Sequence, residues 1–192
     1  MSIAVFDHME LCTPAEVARM LPLVSPQRRE QALQYKHVFG QFACLKSWLM
    51  LQQLLAERGI TGDLFFEYNK YGKPRLRGIP VDFSISHCKR AIGVAVSEQA
   101  IGFDIEAIRH PSPSLVQKTM NEQEQQQIAQ SADPDTAFTA LWTRKEAILK
   151  WRGTGIVDDL HGVLADVGEN EIQTNQNIEK GYIFSVFSKT IG

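Results

Sequence analysis

Cysteine is scarce in this chain. Cys12, Cys44 and Cys88 are odd in number and no two stand at Cys-x-x-Cys spacing, which excludes a disulfide framework and a cysteine-built zinc site. No run approaches the roughly 18 consecutive apolar residues of a membrane span, so no membrane partner is expected. The opening residues, Met1-Ser2-Ile3-Ala4-Val5-Phe6-Asp7, lack a basic region and meet acid too early for a signal peptide, which predicts a cytoplasmic address. Neither charge is in large excess: the net value is −2, which argues against general nucleic-acid binding. Also missing is a Ser-His-Asp or Cys-His set at workable spacing, which disfavours a covalent enzyme intermediate.

What is present is an ordinary globular composition, 44% hydrophobic and 22% charged, over 192 residues, enough for one domain or two small ones. Charge is unevenly placed. Residues 1–98 carry 12 Lys/Arg against 9 Asp/Glu, and residues 99–192 carry 8 against 13. A basic half beside an acidic half suits an anionic ligand held at a metal between them, although two solvated faces would look the same.

Helical spacing predicts a polar helix over 26–39, after Ser25-Pro26, and an apolar one over 40–58 stopped by Gly59. Strands are expected at 64–68, 81–86, 91–97 and 100–106, with a hairpin turn at His87-Cys88-Lys89-Arg90. Helices over 114–120, 121–130 and 135–151 then precede weaker strands near 162–167 and 181–189. The interval from Phe42 to Gly59-Ile60 recurs from Phe138 to Gly155-Ile156, each spanning a helix that leads to an apolar strand. The expected fold is therefore α+β, with two similar halves, 1–98 and 99–192, related by a pseudo-twofold and a ligand cleft between them.

Two segments carry acids that point to chemistry. On the strand Ile101-Gly102-Phe103-Asp104-Ile105-Glu106, alternation puts Ile101, Phe103 and Ile105 on one face and Gly102, Asp104 and Glu106 on the other. Gly102 on the acidic face would leave room for something to approach. Neighbouring same-face acids repel unless a cation lies between them, and hard divalent ions take such oxygen ligands. On the helix, Trp142, Glu146 and Lys150 form a stripe at i, i+4 and i+8. Glu146 would complete a metal shell and Lys150 neutralise a phosphate. Each segment alone also reads as a solvated face or a surface ion pair.

Gly102-x-Asp104-x-Glu106 and Trp142-x-x-Lys145-Glu146-x-x-x-Lys150 together resemble the phosphopantetheinyl transferases of the surfactin-synthetase-activating class. Tyr71-Gly72-Lys73-Pro74 and Phe83-Ser84-Ile85-Ser86-His87 fit the same pattern upstream, and the resemblance spans roughly residues 25–156. It implies transfer of the 4′-phosphopantetheine arm of coenzyme A to a serine of an acyl or peptidyl carrier protein, with Mg²⁺ as cofactor. It also implies metal ligands Asp104, Glu106 and Glu146, with Glu146 and Lys150 catalytic. His87, Lys46, Arg28 and Arg29 would meet the 3′-phosphate, Lys73 and Pro74 the adenine and ribose, Ser86 the phosphates and Lys150 the pyrophosphate. Glu124 falls where the family has a further acid. Ser84 and Cys88 depart from the family's usual Asn and Ser, and Phe103 from a small aliphatic residue. A monomer is expected, since one chain supplies both halves. Two rival classes remain: a metal-dependent phosphoesterase, and a non-catalytic coenzyme A or carrier-protein binding module that would tolerate loss of the acids.

Overall fold

The computed structural model describes residues 1–155, 159–165, 167–168 and 170–189. Ile156, at the close of the second copy of the sequence repeat, lies outside them. The order of elements is β1 (Ser2–Phe6), α1 (Pro14–Met20), α2 (Pro26–Leu33), α3 (Val38–Ala56), β2 (Phe66–Tyr68), β3 (Pro74–Leu76), β4 (Asp82–His87) and β5 (Ile92–Ser97). The chain continues with β6 (Ile101–Ala107), α4 (Pro113–Thr119), α5 (Glu122–Gln130), α6 (Pro134–Arg152), β7 (Ile172–Asn177) and β8 (Tyr182–Ser188). The class is α+β, as expected. No helix of the described residues is long and apolar enough to cross a membrane.

Helix starts follow local chemistry. Ser25, Ser112 and Asp133 each stand before a proline and accept a hydrogen bond from a first-turn backbone N–H. Asn121 and Glu124 form a reciprocal capping box on α5. Gly59 ends α3 with φ +74°, and the next amide, Ile60 N, reaches back to Leu55 O at 3.0 Å.

Two three-stranded antiparallel sheets have the orders β1-β5-β4 and β6-β8-β7, and β2-β3 form a separate ribbon. In each sheet the strand that comes last in sequence lies in the middle. Each sheet is also accompanied by one 19-residue helix, α3 or α6. The first sheet packs on α3 through Phe42, Leu45, Leu51, Leu55, Ile92, Val94 and Val96. Ile101, Phe103 and Ile105, fully buried on one face of β6, join Ala91, Ala95 and Val186 in a second core between the sheets. Phe103 fits there because Gly93 has no side chain: a Cβ on Gly93 would stand 2.2 Å from the Phe103 ring.

Where β4 meets β6, side chains replace the backbone ladder. Asp82 Oδ2 accepts from Ile101 N at 2.9 Å, Ser84 Oγ accepts from Phe103 N at 2.9 Å, and Ser86 Oγ donates to Asp104 at 2.8 Å. These alternate residues of β4 share a face and join the two sheets.

Three expectations are corrected. The helix over 26–39 stops at Leu33, and the chain turns before Val38 starts α3. Residues 161–165 form turns rather than a strand, and residue 166 lies outside the described residues. The elements β1, α1, β3 and the polar edge strand β7 were not anticipated. β7 exposes most of its Gln and Asn side chains and is held by its pairing with β8, so no apolar alternation marks it.

Candidate active site

Gly102 brings the two acid-bearing elements together. A Cβ at this position would lie 1.8 Å from Ala147 O and 2.6 Å from Trp151 N, so α6 packs directly on the strand backbone. The group for which Gly102 leaves room is thus the helix itself. The contact sets Asp104 and Glu106 of β6 opposite Glu146 and Lys150 of α6.

Lys150 does not form the i, i+4 pair with Glu146. Its Nζ donates across to Asp104 Oδ1 at 2.7 Å, with the lysine side chain 30% exposed and the aspartate 4%. Ser86 Oγ donates to the same oxygen at 2.8 Å. Asp104 Oδ2 and Glu146 Oε1 are buried without a hydrogen-bond partner. Burial, and then the charges of Asp104 and Glu106, push the Glu146 pKa up from 4.5 to about 7, with Lys150 opposing. Burial and Asp104 raise Glu106 as well, while Arg109 and a hydrogen bond from Trp142 pull it down. The stripe of Trp142, Glu146 and Lys150 therefore faces the strand's acids. Trp142 stacks on Phe138, 6.3 Å between centroids.

Among the described residues, no three His, Cys, Asp or Glu side chains stand together as a group able to hold a metal ion; one oxygen of Asp104 is engaged by Lys150. The chemistry of the donor set nonetheless suits a hard divalent cation. Two buried carboxylate oxygens lack partners, and the burial and the neighbouring carboxylates that raise Glu146 and Glu106 are both offset by such an ion.

Glu146 and Lys150 line a cavity of about 330 Å³. The turn Tyr71-Gly72-Lys73-Pro74, Ser84 and Ile85 of β4, and Gly153 and Gly155 after α6 also line it. The ammonium of Lys73 is committed elsewhere, to Asp82 Oδ2 at 2.8 Å and Ile101 O at 3.2 Å, which leaves its stem to line the space.

The other expected contacts are dispersed. His87 ends β4 with Phe39 edge-on at 5.6 Å, and burial and Lys150 lower its pKa below 6.5. Arg28 stacks over Trp48 at 4.1 Å and reaches Cys44. Arg29 is exposed and donates to Leu21 O at 3.2 Å. Lys46 lies over Phe6 at 4.1 Å, and burial lowers its pKa. Ser86 is buried against Asp104 and does not line the cavity. Glu124 is paired with Lys145, a fully buried lysine whose Nζ donates to Glu124 at 2.6 Å and to the carbonyls of Thr119 and Leu160. Lys145 thus faces inward, away from any ligand. The sequence reading missed Asp82 and Asn69. The alternation of Asp82, Ser84 and Ser86 with apolar residues, and an Asn three residues before a turn Gly, were the signals available.

Residues 100–188 match the family model described as the 4′-phosphopantetheinyl transferase superfamily. The chain is 28% identical over 177 residues to a 4′-phosphopantetheinyl transferase of Bacillus subtilis, covering 88% of this chain and 79% of that protein. It is 27% identical to the 4′-phosphopantetheinyl transferase psf-1 of Bacillus pumilus, over 81% of this chain and 69% of the relative. A third relative, the 4′-phosphopantetheinyl transferase AcpT of Salmonella typhimurium, is 34% identical over 113 residues, 56% of this chain and 58% of its own.

Proposed function

We propose that the chain, whose residues 100–188 match the 4′-phosphopantetheinyl transferase superfamily, moves the 4′-phosphopantetheine arm of coenzyme A onto a serine of an acyl or peptidyl carrier protein, releasing 3′,5′-ADP. The observation that carries this reading is the meeting of Asp104 and Glu106 with Glu146 and Lys150, with two buried carboxylate oxygens left unpaired beside a cavity.

In this reading residues 1–98 and 99–192 are pseudo-twofold halves, and the cavity is part of the cleft that seats coenzyme A. Support comes from the like strand order of the two sheets and from cavity walls drawn from both halves. The turn Tyr71-Gly72-Lys73-Pro74 lines the nucleotide side. His87 serves the 3′-phosphate. Arg28 and Lys46 rest on aromatic rings and would have to leave them to touch that phosphate directly; Arg29 is freer to move. Ser86 acts through Asp104: with Ser86 and Lys150 both on Oδ1, Oδ2 stays available.

Asp104, Glu106 and Glu146 would hold Mg²⁺, which when bound neutralises charge on the pyrophosphate. The carrier serine oxygen bonds to the β-phosphorus as the bond from that phosphorus to the bridging oxygen breaks. Glu146, kept ionised when a cation is held beside it, would accept the hydroxyl proton. Lys150 is partly exposed, lines the cavity, and stabilises the negative charge that gathers on departing 3′,5′-ADP. The protein works as a monomer, because one chain contributes both walls.

The test is intact mass spectrometry of a panel of apo carrier proteins incubated with coenzyme A, Mg²⁺ and the enzyme. One carrier gains a single phosphopantetheine arm, and Asp104→Asn lowers the rate by about 10²–10³ while circular dichroism stays unchanged. A folded Asp104→Asn protein of full activity would remove the three-carboxylate site, and no gain on any carrier would favour a binding module.

A further inference from the structure

We propose that Asn69 is a positioning residue that latches the coenzyme-binding turn onto the end of the catalytic helix. The inference rests on the transferase reading given above. The Asn69 side chain uses both its ends. Oδ1 accepts from Tyr71 N at 2.9 Å and from Lys73 N at 2.8 Å, which folds Tyr71-Gly72-Lys73 back over the asparagine. Nδ2 donates to Gly153 O at 2.9 Å, 84 positions away in sequence.

Gly153 caps α6 with φ +67°, and its own N–H bonds Leu149 O, so its carbonyl is continuous with the helix that carries Glu146 and Lys150. A Cβ on Gly153 would lie 3.0 Å from Asn69 Nδ2 and 3.1 Å from Lys73 Cδ. The turn and the end of α6, both of which line the cavity, are therefore in direct contact here, and the Asn69 amide hydrogen-bonds the one to the other. Tyr71 and Gly72 are exposed, and Lys73 ties the turn to Asp82 and Ile101 O, so the Asn69 amide is the hydrogen bond that carries the turn across to the end of α6. A ligand that touches both the turn and α6 needs their spacing set before it arrives. Asn69 supplies it without touching the reacting atoms, so its loss acts on coenzyme binding rather than on the chemical step.

Asn69→Asp separates the two functions of the side chain. A carboxylate still accepts from Tyr71 and Lys73 but cannot donate to Gly153 O. The expected result is a rise in KM for coenzyme A on the order of tenfold. The KM for the carrier protein and the kcat should stay within about twofold, and calorimetry should show the same weakening of coenzyme A binding. Asn69→Ala, which loses the turn contacts too, should be worse in the same parameter. Thermal melting of both variants reports whether the fold is intact. An active wild type with an unchanged coenzyme A constant in Asn69→Asp overturns the latch alone, as does a variant whose loss falls on kcat. A wild type that neither binds coenzyme A nor modifies any carrier overturns the transferase reading and the latch with it.

Discussion

Glu146 holds its proton more firmly than a free glutamate because it is buried, and because Asp104 and Glu106 stand beside it; Lys150 opposes them and is itself bound to Asp104. The folded-state pKa, about 7, is above the ordinary 4.5, so folding favours the protonated form. That contribution to stability is complete below pH 4.5 and is lost as the pH rises through 7. His87 works the other way: its lowered pKa gives stability above about 6.5 that is lost as the pH falls. The comparison that isolates the carboxylate is therefore Glu146→Gln. In the presence of a chelator, wild-type melting temperature should fall from pH 5 to pH 8 more than that of the variant. Added Mg²⁺ should raise the wild-type value more at pH 8 than at pH 5, because the ion competes with the proton for the same oxygens. Equal pH profiles for the two proteins would show that Glu146 is not the group that titrates. At this scale the sequence was informative about which side chains matter, since alternation on a strand and a four-residue stripe on a helix assign directions. It was silent on partners: that Lys150 crosses to Asp104, and that Ser86 joins it, depends on how two elements distant in sequence pack.

The elements show why some of the fold was legible and some was not. Helix α3 and strand β5 carry their burial in their own composition, and Ser-Pro and Asp-Pro starts are local signals. Strand β7 is polar and takes its form from β8, so no local pattern identifies it. Lys145 illustrates the same limit, for it reads as a surface cation and is in fact the bolt between α6 and α5. Replacing it by methionine would leave Glu124 buried without its counter-charge. The expected cost is about 3–5 kcal/mol, which for a chain of this size lowers the melting temperature by roughly 10 °C. The double variant Lys145→Met with Glu124→Gln should recover much of that loss. A single variant as stable as wild type would mean that α5 is held by its other contacts.

For the molecule as a whole, the β4–β6 contact decides whether two sheets behave as one body. Asp82, Ser84 and Ser86 hydrogen-bond to β6, and the core containing Phe103 is shared between the sheets. Calorimetry should accordingly record one transition, with calorimetric and van't Hoff enthalpies equal. Two resolved transitions would mean that the halves melt independently. The two long helices were legible in the spacing of Phe42–Gly59 and Phe138–Gly155, but the polar seam joining the two sheets was not, because Asp82, Ser84 and Ser86 alternating along β4 give no sign of their partner.

That seam also has a consequence for the newly made chain. During synthesis β1, β4 and β5 are available to pair once about half the chain has emerged, whereas α6 is still to come. Until it arrives, Asp104 has neither Lys150 as its counter-ion nor Glu146 as its neighbour. The proposed site is thus completed only when α6 arrives, and a nascent or truncated chain that ends before α6 has the first sheet but lacks the Glu146 and Lys150 side of that site.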